Sequence, residues 1–262
     1  MNINAYLERI NYHGSLLPSA ETLRELQVAH LLAVPFENLS IHAKEPIVLE
    51  DGALFTKIVK NRRGGFCYEA NGLFAALLRA LGFEVAMLSA EVANAAGEFG
   101  PEFDHMALMV STTGSSDQRW LVDVGFGDSF LEPLLLDERS EQVQISRAYR
   151  LFTDESQLRL MQRDAGDEWK PLYRFTLQTY TYADYAEMCR YHQTSPDSHF
   201  TRSRLCSRAT EDGRITLSGM RFISTSKSGA HQVCEERTLE SEQEYTEVLR
   251  DKFGIVMTSW CG

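Results

Sequence analysis

The segment Arg62-Arg63-Gly64-Gly65-Phe66-Cys67-Tyr68-Glu69 constrains the fold of this chain more than any other stretch. Adjacent glycines permit a tight turn in which two backbones approach closely. An apolar run with helical spacing follows, and Gly82 stands just past it as a candidate C-cap. The apolar members of that run are Leu73, Phe74, Leu77, Leu78 and Leu81. We therefore predict that Cys67 lies in the first turn of a buried helix.

Cys67 has two interpretations at such a position. The free N–H groups and the partial positive charge of a helix start favour a thiolate. We expect the nearby Arg62 and Arg63 to add to that effect. The alternative is an ordinary core cysteine, which is a common fate of an unpaired cysteine. Residue type and position leave both open, so the downstream sequence has to separate them.

The overall composition is that of a globular protein. Of the 262 residues, 44% are hydrophobic and 24% are charged. No apolar run approaches the length of a membrane-spanning helix, and Met1 to Gly14 lack the apolar core of a signal peptide. We therefore expect a cytoplasmic protein that does not bind membranes. The formal net charge of −11 also argues against non-specific binding to nucleic acids.

The cysteines predict neither a disulfide framework nor a metal site. Their number is odd, and no two of them are close in sequence. The full set is Cys67, Cys189, Cys206, Cys234 and Cys261.

Charge is unevenly distributed near the C-terminus. The segment from Ser198 to His231 contains six basic residues and two acidic ones. Such a segment suits either an anionic ligand or a solvated strand face, and both interpretations stay open.

The period of the hydrophobic pattern changes twice along the chain. Residues 1–82 have helical spacing. We predict one helix that Ser19 caps and Pro35 ends, followed by a loop from Pro35 to Leu39. Asp51 is predicted to cap a further short helix. Short alternating runs then predict strands of a barrel or sandwich, at Phe83–Val92, His105–Val110, Trp120–Val124, Tyr149–Thr153, Gln157–Arg163 and Leu172–Leu177. The last part mixes helices at Thr181–His192 and Leu239–Phe253 with strands at Arg204–Ala209, Ile215–Leu217 and Met220–Thr225. This order predicts an α+β protein in three parts.

Two residues of the strand region complete a candidate set for nucleophilic catalysis. A catalytic cysteine requires an imidazole that accepts its proton and a group that orients the imidazole. His105 begins one predicted strand, and Asp123 lies near the end of the next. Antiparallel pairing of those strands would bring the two side chains together. Taken singly, His105 could be a structural histidine, and Asp123 could merely accept backbone N–H groups.

Together with the surrounding motifs, these three residues make the sequence similar to the arylamine N-acetyltransferase family over essentially the whole chain. The resemblance is carried by Pro35-Phe36-Glu37-Asn38-Leu39, by Arg63-Gly64-Gly65-Phe66-Cys67-Tyr68-Glu69, by the histidine at 105, by Val122-Asp123-Val124-Gly125-Phe126-Gly127, and by Gln193-Thr194-Ser195-Pro196 with Phe200. The combination of the cysteine segment with Asp-x-Gly-x-Gly is highly specific.

The resemblance implies a fold and an activity. The fold is an α+β arrangement with a cysteine-protease or transglutaminase-like core. Residues 1–85 form a helical bundle, residues 86–180 a central antiparallel β-barrel, and residues 181–262 an α/β lid. The activity is transfer of an acetyl group from acetyl-CoA to an arylamine, arylhydroxylamine or hydrazine, without a metal. Oligomeric state, monomer or homodimer, is left open.

The resemblance also implies roles for individual residues. It makes Cys67, His105 and Asp123 a catalytic triad. It places Gly125, Gly127 and Tyr191 at the coenzyme, and Phe36, Phe126 and Phe200 at the acceptor. Beside these roles, we expect Glu37 to brace the cysteine segment by pairing with Arg63 or Arg9, with a solvated surface acid as the alternative. Glu69 is expected to be structural.

Three other functions remain possible at this point. A transglutaminase-like cysteine hydrolase would use the same triad. An amide synthase acting on a long acyl chain is a variant found among relatives of this family. A non-catalytic binding protein with the same fold is disfavoured, since the complete Cys, His and Asp set is present.

The sequence departs from the family pattern at two places that bear on substrate specificity. Asp197 would repel a polyanionic coenzyme. The chain also stops soon after its last helix, where many relatives have a longer tail.

Overall fold

Helices occupy most of the first 80 residues in the computed structural model, which describes residues 1–112, 118–145, 147–154, 156–164, 166–228 and 231–257. Ser19 caps the second helix as predicted, because its side chain accepts the N–H of Thr22. The helices are α1 Ile3–Arg9, α2 Ala20–Ala33, α3 Leu39–His42, α4 Asp51–Phe55 with a π-helical turn at Thr56–Lys60, and α5 Cys67–Ala80. A two-residue strand, β1 Phe36–Glu37, separates α2 from α3.

The helix that begins with Cys67 is the most buried of the helices in the described part of the chain. The prediction that Cys67 opens it is confirmed, and Gly82 follows its end with a φ of +93°, which few residues other than glycine adopt. Glu69 has the structural role expected of it. Its carboxylate accepts the N–H of Phe66 at 3.1 Å and the ammonium group of Lys57 at 2.6 Å.

The middle of the chain forms one antiparallel sheet of eight strands that curls into a nearly closed barrel. The spatial order is β5-β4-β3-β2-β9-β8-β7-β6. The strands are β2 Glu84–Val92, β3 His105–Ser111, β4 Arg119–Val122, β5 Leu134–Leu135, β6 Gln142–Gln144, β7 Arg147–Asp154, β8 Gln157–Asp164 and β9 Lys170–Tyr180.

Glutamine side chains link the two edges of this sheet. The Gln142 amide bonds both the N–H and the carbonyl of Leu135 in β5, at 2.8 and 3.0 Å. The Gln144 amide accepts the N–H groups of Leu131 and Glu132. These bonds satisfy edge groups that would otherwise be open to another strand.

The C-terminal part combines helices with a second antiparallel sheet, of order β1-β10-β11-β12-β13. Its elements are α6 Tyr182–Thr194, α7 His199–Arg202, β10 Leu205–Thr210, β11 Gly213–Ser218, β12 Arg221–Ser228, β13 His231–Thr238, and α8 Glu242–Val248 with a π-helical turn at Leu249–Phe253. Strand β1 comes from the helical part and pairs with β10, so the two ends of the chain share a sheet. None of the helices in the described ranges has the length and apolarity that crossing a membrane requires.

The predicted α+β class is confirmed, but several element boundaries were wrong. Residues 35–39 are not only a loop, because Phe36–Glu37 pairs with β10. The strand predicted to reach Val124 ends at Val122, and the last helix begins at Glu242, because the Ser241 hydroxyl caps it. Strand β13 was not predicted at all. The short helix after Glu50 starts with Asp51, which is its first residue rather than its cap.

The three-part division at residues 85 and 180 stays a prediction. The expectation that a short tail affects specificity concerns Trp260-Cys261-Gly262, which lie outside the described residues.

A buried ion pair joins the β1 segment to the glycine segment before Cys67. The Arg63 Nε donates to Glu37 Oε1 at 2.9 Å, and the Glu37 side chain is fully buried. Burial alone would raise the pKa of Glu37, but the charges of Lys57 and Arg63 and the N–H of Leu39 outweigh it and lower the pKa. Glu37 in turn raises the pKa of Arg63. The pairing of Glu37 is therefore with Arg63, whereas Arg9 binds backbone carbonyls such as Ile58 and Ala33.

We expect Glu37→Ala to lower the free energy of unfolding by about 3–5 kcal/mol, since it leaves the Arg63 charge buried without its partner. Urea denaturation followed by circular dichroism measures this. The stabilisation by Glu37 is complete above its unfolded pKa and is lost as the pH falls through its lower native pKa. The difference in the free energy of unfolding between the wild type and Glu37→Ala should accordingly shrink below about pH 4.

The matched control is Glu132→Ala, which breaks the exposed pair with Arg24. It should change the free energy of unfolding by less than about 1 kcal/mol. Equal effects of the two substitutions would contradict the importance assigned to the buried pair.

Candidate active site

Close backbone packing surrounds Cys67 at the start of α5. A Cβ atom on Gly64 would overlap the carbonyl oxygen of Pro35, so this position has to be glycine. A Cβ atom on Gly125 would lie 2.7 Å from the Cα of Cys67, so the turn after Asp123 rests directly on the cysteine backbone. The backbone N–H of Met106, the residue after His105, acts on the Cys67 sulfur by lowering the pKa of its thiol. All three segments of the family motif therefore meet at this residue.

The surroundings of the Cys67 sulfur favour its thiol form over the thiolate. Burial raises its pKa well above the usual value, the Met106 N–H lowers it, and the negative charges of Asp104 and Asp123 raise it further. The expectation that nearby arginines favour the thiolate is wrong for Arg63, whose guanidinium binds Glu37, Glu45 and Ser40. Arg62 is exposed. These arginines therefore do not counter the effect of burial on the pKa of the Cys67 thiol.

His105 and Asp123 are in direct contact, as their strand positions predicted. Strands β3 and β4 pair in antiparallel fashion, with Leu108 opposite Val122. This register brings His105 Nε2 to 2.8 Å from Asp123 Oδ2. The His105 and Asp123 side chains are 4% and 0% exposed, so water does not compete for the bond.

Asp123 accepts three further hydrogen bonds. Its Oδ1 accepts the Asn71 amide at 2.9 Å and the Gly125 N–H at 2.9 Å. Its Oδ2 accepts the Tyr173 hydroxyl at 3.2 Å. The two interpretations of Asp123 are therefore not exclusive, since it accepts a backbone N–H and also binds the imidazole. A buried carboxylate with this many donors remains compatible with its negative charge.

Asn71 and Tyr173 were missed by the sequence reasoning. The Asn71 amide also donates to the Met106 carbonyl at 2.6 Å and accepts the Val124 N–H at 2.8 Å, so it joins α5 to both strands. Its signal was a polar residue within an apolar helix, four positions after Cys67 and on the same face. The sequence around Tyr173 did not indicate a site residue, because the alternation of polar and apolar residues along β9 is that of any strand.

Aromatic rings surround this group of residues. The ring of Phe126 meets His105 edge-on at a centroid distance of 5.2 Å, and Tyr173 lies 5.3 Å from the same imidazole. Phe36 and Phe200 face each other at 6.1 Å, and both are buried. The three phenylalanines expected at the acceptor therefore belong to two neighbourhoods, one at His105 and one at the β1–α7 contact.

The residues expected at the coenzyme are spread more widely. Gly125 lies against Cys67. Gly127 has a φ of +93° and packs against the ring of Phe36. Tyr191, on α6, is 38% exposed and contacts His192. These three residues do not form one contiguous contact.

The basic segment from Ser198 to His231 is largely satisfied within the protein. Arg204 binds Glu242 at 2.6 Å, Arg214 binds Asp128 at 3.1 Å, and Arg221 binds Glu236 at 3.2 Å. Arg208 donates to the Lys252 carbonyl. These contacts favour the interpretation as a paired strand face over a dedicated anion site.

The other cysteines and the potential metal ligands were also compared with the predictions. Cys189, Cys206 and Cys234 are free thiols, and Cys261 lies outside the described residues. No group of three or more potential metal ligands occurs within the described ranges.

We expect Asn71→Ala to destabilise the protein by about 2–3 kcal/mol, because it leaves the Asp123 carboxylate and the Val124 N–H short of partners in the core. Tyr173→Phe removes one longer bond and should cost about 1 kcal/mol. Urea unfolding of the two variants gives the comparison. A larger loss for Tyr173→Phe would contradict the central position assigned to Asn71.

Comparisons with known proteins show the family to which the chain belongs. A family model described as N-acetyltransferase matches residues 19–260. The arylamine N-acetyltransferase of Mycolicibacterium smegmatis is 35% identical over 266 residues, covering 100% of this chain and 94% of the relative. The proansamycin X synthase of Amycolatopsis mediterranei (strain S699) is 31% identical over 251 residues, covering 93% and 94%. The solved structure of Mycobacterium marinum arylamine N-acetyltransferase in complex with CoA is similar with a TM-score of 0.88 at 34% identity, covering 97% of this chain and 93% of that one. The chain therefore belongs to the arylamine N-acetyltransferase family.

Proposed function

We propose that this protein transfers an acetyl group from acetyl-CoA to an arylamine, arylhydroxylamine or hydrazine through an acetyl-cysteine at Cys67. The observation that carries the proposal is the buried His105–Asp123 hydrogen bond of 2.8 Å beside the Cys67 helix start. Family membership supports the reaction class.

In the first half-reaction, His105 accepts the proton of the Cys67 thiol. Because Asp123 holds the Nε2–H, the nitrogen available to the sulfur is Nδ1. The sulfur attacks the thioester carbonyl carbon of acetyl-CoA, and the oxyanion is stabilised by N–H groups at the start of α5, with that of Cys67 as one candidate. The bond from the carbonyl carbon to the coenzyme sulfur then breaks, and His105 returns the proton to the departing coenzyme A.

In the second half-reaction, the amine or hydrazine nitrogen attacks the acetyl carbon on Cys67. His105 takes a proton from that nitrogen, and the bond between the acetyl carbon and the Cys67 sulfur breaks. The amide product leaves, and the proton on His105 restores the thiol. Two substrates that use one site in turn give ping-pong kinetics.

Burial of the Cys67 thiol is compatible with proton transfer from Cys67 to His105. An isolated thiolate is disfavoured by burial at Cys67. A thiolate that faces an imidazolium steadied by Asp123 is compensated, so the charge forms only when the proton stays within the site. This Cys, His and Asp arrangement is the reason for proposing a core like that of cysteine proteases and transglutaminases.

The side of the site that each substrate occupies is part of the same proposal. The solved complex of the Mycobacterium marinum relative with CoA supports acetyl-CoA as the donor. We assign the coenzyme to Gly125, Gly127 and Tyr191, and the acceptor to Phe36, Phe126 and Phe200. Phe126 touches the His105 ring and is therefore the acceptor residue nearest to the chemistry.

A second candidate is an amide synthase that uses a longer acyl group. One relative of similar identity is a proansamycin X synthase rather than an acetyltransferase by name. The same thioester chemistry on Cys67 serves both. A hydrolase with the same three residues would differ only in using water as the acceptor.

We expect acetyl-CoA, without any amine, to add one acetyl group to the wild-type protein by intact-protein mass spectrometry. Addition of an arylamine should remove it, because the acyl-enzyme is the intermediate. Cys67→Ala should stay unmodified, whereas Cys189→Ala, which alters another buried thiol, should acetylate normally.

Labelling that persists in Cys67→Ala would exclude the acetyl-cysteine. Acylation of Cys67 by a longer acyl thioester but not by acetyl-CoA would favour the synthase. Turnover of an amide or peptide with water would favour the hydrolase.

We expect Asp123→Asn to lower kcat by roughly 10³–10⁴-fold, since an amide donor at this position would fix the wrong imidazole tautomer. Steady-state kinetics with acetyl-CoA and an arylamine measure the effect. Asp137→Asn, which alters an exposed carboxylate paired with Arg119, is the control and should be near wild type. Near-normal kcat in Asp123→Asn would remove this carboxylate from the mechanism.

A further inference from the structure

A groove that the proposed reaction does not use lies where α1, α2 and β10 meet. It has a volume of about 1010 Å³. Its lining includes Arg9 in α1, Arg62 before the glycine segment, and Arg208 in β10. Within the described part of the chain, none of the residues proposed for catalysis, for the coenzyme or for the acceptor lines this groove. The groove is therefore a feature separate from the candidate active site.

Arg9 is 7% exposed, and neutral groups accept its hydrogen bonds. Its Nε donates to the Ile58 carbonyl at 3.0 Å, and its Nη1 donates to the Ala33 carbonyl at 2.8 Å. Its Nη2 donates to the Arg63 carbonyl at 3.3 Å, directly before Gly64. Arg9 thereby holds the end of α2 to the chain beside the cysteine segment, but these carbonyls do not neutralise its charge.

Arg62 and Arg208 also lack a neutralising partner. Arg62 is exposed, and its side chain makes no hydrogen bond or ion pair with any described residue. Arg208 is half-buried, and its side chain makes one hydrogen bond to the residues described, from Nη2 to the Lys252 carbonyl at 2.8 Å. Among the same residues, the buried Arg208 Nε has no partner. A buried donor without a partner is uncommon in native proteins and calls for an acceptor.

The three arginine charges share the groove without a counter-charge. Burial, together with the positive charges of Arg62 and Arg208, lowers the pKa of Arg9 to about 10, so Arg9 is still charged at neutral pH. No carboxylate in the described ranges lies within ion-pair distance of the three side chains. The protein has carboxylates in excess, with a formal net charge of −11, so this cluster of like charges stands out.

The acidic residues that also line the groove do not fill this role. Glu25 accepts the Tyr12 hydroxyl at 2.9 Å, and Glu132 pairs with Arg24 at 3.5 Å. The other acidic residues of the lining are exposed and lie outside ion-pair distance of the three arginines: Glu8 and Glu211. The counter-charge therefore has to come from outside the described chain.

We propose that the groove binds a phosphate group between Arg62 and Arg208, with the buried charge of Arg9 adding to the attraction. A guanidinium group presents paired N–H donors that match the oxygens of a phosphate. A bound dianion would offset most of the three charges and would supply an acceptor for Arg208. Inorganic phosphate and the phosphate groups of a coenzyme share this chemistry. The proposal does not depend on acetyl transfer.

The test is the thermal unfolding of the protein in increasing inorganic phosphate, with sodium chloride keeping the ionic strength constant. A ligand that binds only the native state stabilises it. At a phosphate concentration ten times Kd, we expect Tm to rise by roughly 3–5 °C. The rise should saturate, and isothermal titration calorimetry gives Kd independently. Cys67→Ala should bind phosphate like the wild type, so the result is separate from that of the acetylation experiment.

Arg62→Gln and Arg208→Gln each remove one charge from the groove. Each should weaken phosphate binding on the order of tenfold, since a hydrogen bond to a charged group is lost. Without phosphate, Arg62→Gln should be at least as stable as the wild type, because it relieves repulsion. The matched control is Arg221→Gln, which removes an exposed arginine that pairs with Glu236 and should bind phosphate normally.

Coenzyme A distinguishes the two sources of the phosphate group. If the groove takes free phosphate, coenzyme A should raise the Tm of Arg62→Gln and of the wild type equally. If it takes a phosphate of the coenzyme, Arg62→Gln should raise KM for acetyl-CoA about tenfold at unchanged kcat. A phosphate effect that does not saturate, or that is equal in the wild type, Arg62→Gln and Arg208→Gln, would be the general effect of an excluded salt and would overturn the proposal.

Discussion

One carboxylate without access to water determines how the parts of this protein meet. Asp123 takes donors from β3, α5 and β9 and from its own following turn. A buried carboxylate that lacks such donors costs several kcal/mol, so the helical part and the barrel can adopt only relative positions that supply them together. The same bonds fix the imidazole of His105. Structural integrity and the geometry proposed for catalysis therefore depend on the same few contacts.

The sequence was most informative where a local pattern and a specific motif coincided. The Cys67 helix follows from apolar spacing and a glycine at its end, and the His105–Asp123 contact follows from antiparallel pairing of neighbouring strands. Asn71 and Tyr173 could not be found in the same way, because each meets Asp123 across 50 or more residues of chain. Local periodicity carries no information about such contacts. The same reason explains why the two-residue strand β1 was taken for loop, since its partner lies near residue 206.

Proximity in sequence was a poor guide to electrostatics. Arg63 is four residues from Cys67, yet its charge is neutralised by Glu37 and Glu45. Lys57 is likewise occupied by Glu69. Buried charges in this part of the molecule are matched locally, which is the arrangement that a region of low dielectric favours. In the proposed reaction, activation of the Cys67 sulfur is consequently left to the imidazole of His105.

The pairing of β1 with β10 has a consequence for how the chain folds during synthesis. The hydrogen-bonded partners Phe36 and Ser207 are separated by most of the polypeptide. While the ribosome is still making the barrel, the residues beside the future nucleophile present an unpaired strand edge, and contacts of such long range form slowly. The cysteine segment can reach its final setting only after Leu205–Thr210 has emerged. A prematurely terminated chain that contains every proposed catalytic residue would thus still lack the strand that holds them in place.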